Sequence, residues 1–170
     1  DGIVIGMSGN LTTKWKKHDL FLRIAARIKT LGVNCKFVVF GGQSDLDISP
    51  YTRSLRQLSQ NLGLENDVIW AGFIEDIPAM IGCVDILIHP ASREGSGRIV
   101  MEAMAVGTPV VCVRSGGVQE LVQDQVTGFV VTPDSVDEFV EAIDRLIRDS
   151  DLRMKLSDSA KSYAANHFSN

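Results

Sequence analysis

Six short apolar runs, rich in β-branched residues, alternate along this chain with segments of helical periodicity. The runs span Ile3–Ser8, Cys35–Phe40, Val68–Ala71, Ile86–His89, Val110–Val113 and Phe129–Val131. Short runs that are apolar throughout are typical of strands covered on both faces. Because helical segments separate the runs, we expect parallel strands joined by helical crossovers.

The helical segments occupy the intervals between the runs and the end of the chain. They span Asp19–Leu31, Pro50–Leu62, Ile77–Ile81, Arg98–Val106, Val118–Leu121, Val136–Arg148 and Leu152–Asn166. In the first of them, Phe21, Ile24 and Ile28 recur at the spacing of one helix face. The sequence therefore predicts an α/β fold, a Rossmann-like doubly wound parallel sheet with helices on both faces.

Length and charge restrict the function classes. A chain of 170 residues fits one domain, so we expect residues 1–170 to form a single unit. The formal net charge of −4, without a basic stripe, argues against nucleic-acid binding. No apolar run approaches the roughly 20 residues of a membrane span, and we identify no signal peptide. We expect no membrane contact from this chain.

The three cysteines, Cys35, Cys83 and Cys112, lie far apart in apolar stretches. They lack metal-ligand spacing, and an odd number suits reduced thiols. We expect all three to be buried packing residues of a cytoplasmic protein.

A glycine-rich loop separates the fourth apolar run from the helical segment that begins at Arg98. Gly95 and Gly97 allow the backbone to approach a ligand closely. At the carboxyl end of a parallel strand, the unpaired N–H groups of Arg98, Ile99 and Val100 would attract an anion. The loop therefore predicts a diphosphate-binding site.

Two glutamates, Glu94 and Glu102, flank this loop with seven residues between them. Their expected separation of roughly 10 Å exceeds the roughly 5–9.5 Å of a glycosidase carboxylate pair. The spacing fits better if each glutamate binds a different part of one ligand. Glu102 would accept hydrogen bonds from a ribose diol and Glu94 from a sugar hydroxyl, as in a nucleotide-sugar. The alternative is that both are solvated surface charges.

The segment from Glu94 to Glu102 resembles the E-x7-E motif of retaining glycosyltransferases with the GT-B fold, family 4 (group 1). Other motifs of that family follow in the same order along nearly the whole chain. They are Gly9 and Lys16 in GNLTTKWKKHDL, VIWAGFIED at 68–76, SGGVQELV at 115–122, DQVTGFVV at 124–131 and the closing AANHFS.

The resemblance implies the C-terminal half of a GT-B fold, which binds the donor, a UDP-, GDP- or ADP-sugar. It also implies that the N-terminal, acceptor-binding domain is absent from this sequence, and that no metal or other cofactor is required. Glu102 would bind the ribose, Glu94 the donor sugar, and Lys16 the diphosphate. The other donor-binding residues would be Gly9, Asn10, Phe73, Ile74, Gly95, Ser96, Gly97, Arg98 and Ile99.

One position departs from the family pattern. Asn10 stands where members carry an arginine that binds phosphate, and an amide cannot replace a bidentate guanidinium. Lys14, Lys17 or Arg98 could compensate. The departure leaves open a non-catalytic or degenerate nucleotide-sugar binding module. Another GT-B enzyme, such as a nucleotide-sugar epimerase, is a further alternative.

Several other residues have competing interpretations. His18, His89 and His167 are too widely spaced for a metal site, although His89 ends a strand and could line the cleft. Asp45 and Asp47 have the spacing of a manganese motif but lie in an expected loop. The glycine pairs 41–42 and 116–117 could bind phosphate or could serve only as turns.

Overall fold

One parallel sheet forms the centre of the protein. The computed structural model describes residues 2–42, 49–93, 95 and 97–168. Within these residues the strands are β1 (Ile3–Ser8), β2 (Cys35–Phe40), β3 (Val68–Gly72), β4 (Ile86–His89), β5 (Val110–Val113) and β6 (Phe129–Val131). Their order is β3-β2-β1-β4-β5-β6, and every neighbouring pair is parallel. The predicted fold class is confirmed, and β3 is one residue longer than expected.

Seven α-helices and a short 3-10 turn at Lys14–Lys16 accompany the strands among the described residues. The helices are α1 (His18–Lys29), α2 (Pro50–Asn61), α3 (Ile77–Ile81), α4 (Arg98–Val106), α5 (Val118–Leu121), α6 (Val136–Arg148) and α7 (Ser150–His167). Helix α1 ends before the predicted Leu31, because the N–H groups of Leu31 and Gly32 bond to carbonyls three residues back. Helix α7 begins two residues early, because Asp149 Oδ1 accepts a hydrogen bond from Leu152 N at 2.8 Å.

The two faces of the sheet bury different sets of residues, as the period of a strand requires. In β4, Ile86 and Ile88 join a cluster with buried residues of α1, α2 and α6, whereas Leu87 joins a second cluster with α3, α4 and α5. Ala160 and Ala164 of α7 complete the second cluster. Helices therefore cover both faces.

Helix α7 fixes the end of α4, which carries Glu102. Ser157 Oγ donates a hydrogen bond of 2.5 Å to the carbonyl oxygen of Gly107, the residue that ends α4. Thr108 Oγ1 then donates to the carbonyl oxygen of Ile81 in α3 at 2.8 Å. These bonds satisfy carbonyl groups near helix ends and hold α4 in place on the sheet.

The cysteines only partly follow the prediction. Cys35 and Cys112 are buried, but Cys83 is exposed, so its predicted packing role is wrong. It lies in the turn after α3, where Ile81 and Val84 on either side occupy the buried positions. No helix among the described residues combines the length and apolar character that crossing a bilayer requires.

Candidate functional site

A cleft of about 600 Å³ opens at the carboxyl ends of β1, β2 and β3 and beside the start of α4. The strand order reverses between β1 and β4, and ligands of open α/β sheets bind at such a reversal. The volume lies within the range of small-molecule sites. The lining residues are Ser8, Gly9, Asn10, Lys16, Gly41, Gly42, Phe73, Ile74, Glu75, Ile77, Arg98, Ile99 and Glu102.

The structure brings most of the predicted site residues to this one cleft. Those that line it are Gly9, Asn10, Lys16, Phe73, Ile74, Arg98, Ile99 and Glu102. Gly95 and Gly97 precede α4 but are not among the lining residues. Glu94 and Ser96 lie outside the described residues, as do Asp45 and Asp47.

The start of α4 presents backbone N–H groups to the cleft. Gly97 precedes the helix at φ 60°, and no described side chain caps it. This positive φ favours glycine, and a Cβ on Gly97 would also lie 2.8 Å from Leu121 Cδ1, so that side chain would have to shift. Arg98 and Ile99 are the first two residues of the helix, and their N–H groups have no partner within it. The N–H of Val100 donates to the carbonyl oxygen of Gly97 at 2.8 Å, so the prediction that it is unpaired is wrong. Such a helix start favours an anionic ligand.

Glu102 lies one turn further along α4 and forms an ion pair with Arg98. The distance from Arg98 Nε to Glu102 Oε1 is 3.2 Å, and the side chains are 76% and 22% exposed. A helical pair four residues apart contributes only about 0.3–0.5 kcal/mol to stability when it is open to solvent, as Arg98 is here. The Glu102 carboxylate therefore lies on the cleft wall, and Arg98 holds it only weakly.

Two glycine-containing loops close against each other on the opposite wall. Gly9 N donates to the carbonyl oxygen of Phe40 at 2.9 Å, and Gly41 N donates to that of Gly72 at 2.8 Å. Gly41 has φ 107°, and a Cβ on it would overlap the carbonyl oxygen of Gly9. The sequence analysis left Gly41 and Gly42 open as a phosphate-binding turn or a plain turn, and both line the cleft.

Asn10 is occupied within its own turn. Its Oδ1 accepts hydrogen bonds from Thr12 N at 3.0 Å and from Thr12 Oγ1 at 2.9 Å. Among the nearby lysines, Lys16 lines the cleft, and its Nζ lies 4.2 Å from the centroid of the Trp15 ring. Lys17 Nζ pairs instead with Asp134 Oδ1 at 2.9 Å.

His18 forms a hydrogen bond with the backbone of the loop that contains Gly9. Its position in the sequence did not indicate this role. The side chain is fully buried, and burial is the main cause that lowers its pKa to about 4. The ring is therefore neutral at physiological pH. His89 is also buried at the end of β4 and is not among the residues that line the cleft.

The segment after β3 forms the outer margin of the cleft. Phe73 is 76% exposed there, beside Ile74 and Glu75. Asp76 begins α3, since its Oδ1 accepts a hydrogen bond from Ala79 N at 3.0 Å. Glu75 was not predicted, although an acidic residue just beyond the carboxyl end of a strand was a usable signal.

The glycine pair at 116–117 packs against the loop before α4. A Cβ on Gly117 would lie 2.9 Å from the carbonyl oxygen of Gly95, and Ser115 Oγ donates to the carbonyl oxygen of Ala91 at 3.4 Å. Neither glycine lines the cleft, and neither does Glu120. This turn therefore contacts the loop that precedes α4.

Metal-ligand groups are absent from the part of the chain that the structure describes: no three His, Cys, Asp or Glu side chains there are grouped as a metal would need.

Comparison with curated proteins shows similarity to glycosyltransferases. The chain is 30% identical over 156 residues to alpha-D-kanosaminyltransferase of Streptomyces kanamyceticus, a match that covers 91% of this chain and 39% of that protein. It is 31% identical to D-inositol 3-phosphate glycosyltransferase of Salinispora arenicola, covering 97% of this chain and 38% of that protein. The chain thus spans about two fifths of the length of these relatives.

Solved structures share the fold. HepE from Anabaena, in complex with UDP, superposes with a TM-score of 0.90 at 30% identity, covering 98% of this chain and 45% of that one. The C-terminal domain of a glycosyl transferase group 1 family protein (LpcC) from Francisella tularensis superposes with a TM-score of 0.85 at 26% identity. That match covers 98% of this chain and 86% of the other.

A family model extends the same result over nearly the whole sequence. The model for glycosyl transferases group 1 matches residues 1–163. Because this family model matches residues 1–163, and because the similarity to the second relative extends over 97% of this chain, the chain belongs to the group 1 glycosyl transferase family.

Proposed function

We propose that this chain is the C-terminal, donor-binding domain of a retaining glycosyltransferase of family 4, and that it binds a nucleoside diphosphate sugar. The observation that carries the proposal is the cleft at the strand-order reversal, which combines a helix start, Lys16 and Glu102. The UDP bound to HepE supports this ligand class, with UDP, GDP and ADP as the candidate nucleotides. An N-terminal acceptor-binding domain would complete the enzyme.

The diphosphate occupies the inner part of the cleft in this proposal. The N–H groups of Gly97, Arg98 and Ile99 face the phosphate oxygens, and the positive end of α4 adds to the attraction. Lys16 lies on the opposite wall and neutralises the charge that builds on the diphosphate as it leaves. Gly9 and Asn10 border the same region, and Gly95 and Ser96, which precede the helix in the sequence, complete the proposed set of donor-binding residues.

The two ends of the donor bind on either side of the diphosphate. Glu102 accepts hydrogen bonds from the ribose hydroxyl groups, while Glu94 holds hydroxyl groups of the sugar that is transferred. The backbone at Phe73 and Ile74 borders the base. The bond between the anomeric carbon and the diphosphate oxygen breaks, and the acceptor hydroxyl attacks the anomeric carbon on the face that the diphosphate leaves. The proton of the hydroxyl passes to the departing diphosphate, so that the configuration is retained without a protein nucleophile or a metal.

A second candidate is a donor-binding module that does not catalyse transfer, and Asn10 is the observation that favours it. Its amide is uncharged and already bonded to Thr12. The variant Asn10→Arg separates the candidates: in a degenerate site the new guanidinium should raise nucleoside diphosphate affinity at least tenfold. A competent site that already has enough positive charge should gain much less.

Calorimetric titration of the chain with UDP, GDP and ADP tests the proposal directly. One nucleotide should bind selectively, and Glu102→Ala should weaken it at least tenfold, because the ribose hydroxyl groups lose a charged acceptor. Glu141→Ala is the control, since Glu141 is exposed on α6 outside the cleft. Absence of binding by all three nucleotides, or equal affinity in both variants, would contradict the proposal.

A further inference from the structure

The charges that line the cleft leave the diphosphate with few cations. Among the described lining residues, the cations are Lys16 and Arg98 and the carboxylates are Glu75 and Glu102. Asn10 adds no charge, and Lys17 is paired with Asp134. If the donor binds as proposed, Arg98 is the remaining cation at the start of α4 that could meet its diphosphate.

The position of Arg98 is unfavourable for helix stability. It is the first residue of α4, where the partial positive charge of the helix repels a cation. The basic residue also precedes the acidic one in the pair with Glu102, which is the weaker order for residues four apart. Helix stability therefore does not account for an arginine at this position, whereas an anionic ligand would.

The ion pair leaves the guanidinium largely free to move. Its Nε faces Glu102 Oε1 at 3.2 Å, while the Arg98 side chain as a whole is 76% exposed. The same carboxylate is the one proposed to bind the ribose. Ribose hydroxyl groups are donors, so they can replace the N–H of Arg98 on Glu102 without leaving the carboxylate unpaired.

We propose that Arg98 is a diphosphate-binding residue that exchanges partners: it pairs with Glu102 in the free protein and moves to the diphosphate when the ribose takes its place. The inference rests on the proposed function. In the protein without ligand, Arg98 is bound to Glu102 and so competes with an incoming ribose. Once the ribose replaces it, the guanidinium forms charge-assisted hydrogen bonds with phosphate oxygens. Arg98 thus favours donors that carry a diphosphate over bare nucleosides.

The exchange predicts effects of opposite sign for the variant Arg98→Gln. The probes are whichever of UDP, GDP and ADP binds the wild-type chain most tightly, and the corresponding nucleoside without phosphate. Affinity for the diphosphate should fall about tenfold, because a charged hydrogen-bond donor is lost. Affinity for the nucleoside should rise about twofold, because Glu102 no longer has a competing partner.

The matched control is Arg148→Gln. Arg148 also pairs with a carboxylate four residues away on a helix, in the opposite order, with its Nε 2.7 Å from Asp144 Oδ1 on α6, and it does not line the cleft. This control should change neither affinity. Calorimetry serves for the diphosphate, and chemical-shift titration of the ¹⁵N-labelled chain serves for the weaker nucleoside. In a Glu102→Gln background, Arg98→Gln should no longer raise nucleoside affinity.

Opposite shifts for the two ligands, absent in Arg148→Gln, would establish the exchange. Shifts in the same direction, or no shift, in a protein whose wild type binds the diphosphate would overturn the inference and leave the proposed function intact. If the wild-type chain binds none of the three diphosphates, the proposed function itself fails, and the role of Arg98 fails with it.

Discussion

The imidazole of His18, at the start of α1, lies with its Nε2 3.3 Å from the carbonyl oxygen of Gly9, a residue that lines the cleft. A carbonyl oxygen only accepts hydrogen bonds, so Nε2 carries the proton. The ring is fully buried, and its Nδ1 has no hydrogen-bond partner among the described residues. The neutral form of His18 therefore ties α1 to the wall of the cleft.

Acidification should destabilise the fold through this residue. Burial lowers the pKa of His18 to about 4, whereas an unfolded histidine titrates near 6.5. The unfolded chain thus gains a proton first, so the stability that His18 contributes is complete above pH 6.5 and is lost as the pH falls towards 4. Urea unfolding at pH 7 and pH 5 should show a loss of about 2 kcal/mol from this group.

Two variants isolate the contribution of His18. His18→Leu should be less stable at pH 7, because the Gly9 carbonyl loses its donor, but its free energy of unfolding should change about 2 kcal/mol less between pH 7 and pH 5. His167→Gln alters an exposed histidine at the end of α7 and should keep the wild-type pH dependence. If His18→Leu also kept that dependence, His18 would not be its source.

Gly41→Ala should disrupt the cleft more than an ordinary glycine replacement does. The alanine would combine an unfavourable φ of 107° with an overlap against the Gly9 carbonyl oxygen, so we expect a loss above about 2 kcal/mol and weaker nucleotide binding. Gly63→Ala is the control, because Gly63 also has positive φ but its Cβ would meet no atom within 4 Å. It should lose only about 1 kcal/mol. Equal losses in urea unfolding would argue against the contact.

Local sequence patterns were sufficient to predict the fold and the wall of the cleft that α4 forms. The apolar run at Ile86–His89 and the helical segment at Arg98–Val106 have the predicted bounds, since strand burial and helix periodicity are properties of adjacent residues. The start of α4 and the position of Glu102 follow from the same segment. Asp149 was overlooked as a helix cap, although its position three residues before Leu152 was a readable signal.

For the opposite wall, the family resemblance indicated Gly9, Asn10 and Lys16, but local patterns could not predict how its two loops meet, because that contact joins residues far apart in the sequence. The contact of Gly41 with Gly9 arises only when β1 and β2 pair, and spacing along the chain does not encode it. The exposure of Cys83 likewise depends on how the turn after α3 meets the sheet. Whether Glu94 binds the donor sugar stays a prediction, since it lies outside the described residues.

Lys17 has a left-handed backbone conformation, with φ 61°, and pairs with Asp134, whose φ is 63°. Lys17→Gly removes an ion pair worth at most about 1 kcal/mol but also removes about 1 kcal/mol of backbone strain. Lys17→Ala removes the pair and keeps the strain. We therefore expect the glycine variant to be about 1 kcal/mol more stable than the alanine variant in urea unfolding. A more stable alanine variant would contradict this account.

One thiol should react quickly in the native protein. Cys83 is exposed, whereas Cys35 and Cys112 are buried, and burial raises the pKa of Cys112 to about 12. Titration with a thiol-specific disulfide reagent should give one fast equivalent, with two more after denaturation. Cys83→Ser should abolish the fast reaction, while Cys35→Ser should leave it unchanged. A fast reaction that persists in Cys83→Ser would contradict the burial of the other two.

The affinity ratio of a nucleoside diphosphate and its 2′-deoxy analogue should test the role of Glu102 more selectively than the affinity for one ligand. If this carboxylate binds the ribose, the chain should prefer a nucleoside diphosphate over its 2′-deoxy analogue by about tenfold, since one charge-assisted hydrogen bond is lost. Glu102→Gln should reduce the preference severalfold. Glu75→Gln, an equal change in the same cleft, should leave the ratio of the two affinities unaltered. Calorimetry with both ligands gives this ratio for each protein, and a preference that Glu75→Gln abolishes and Glu102→Gln retains would place the ribose on the other carboxylate.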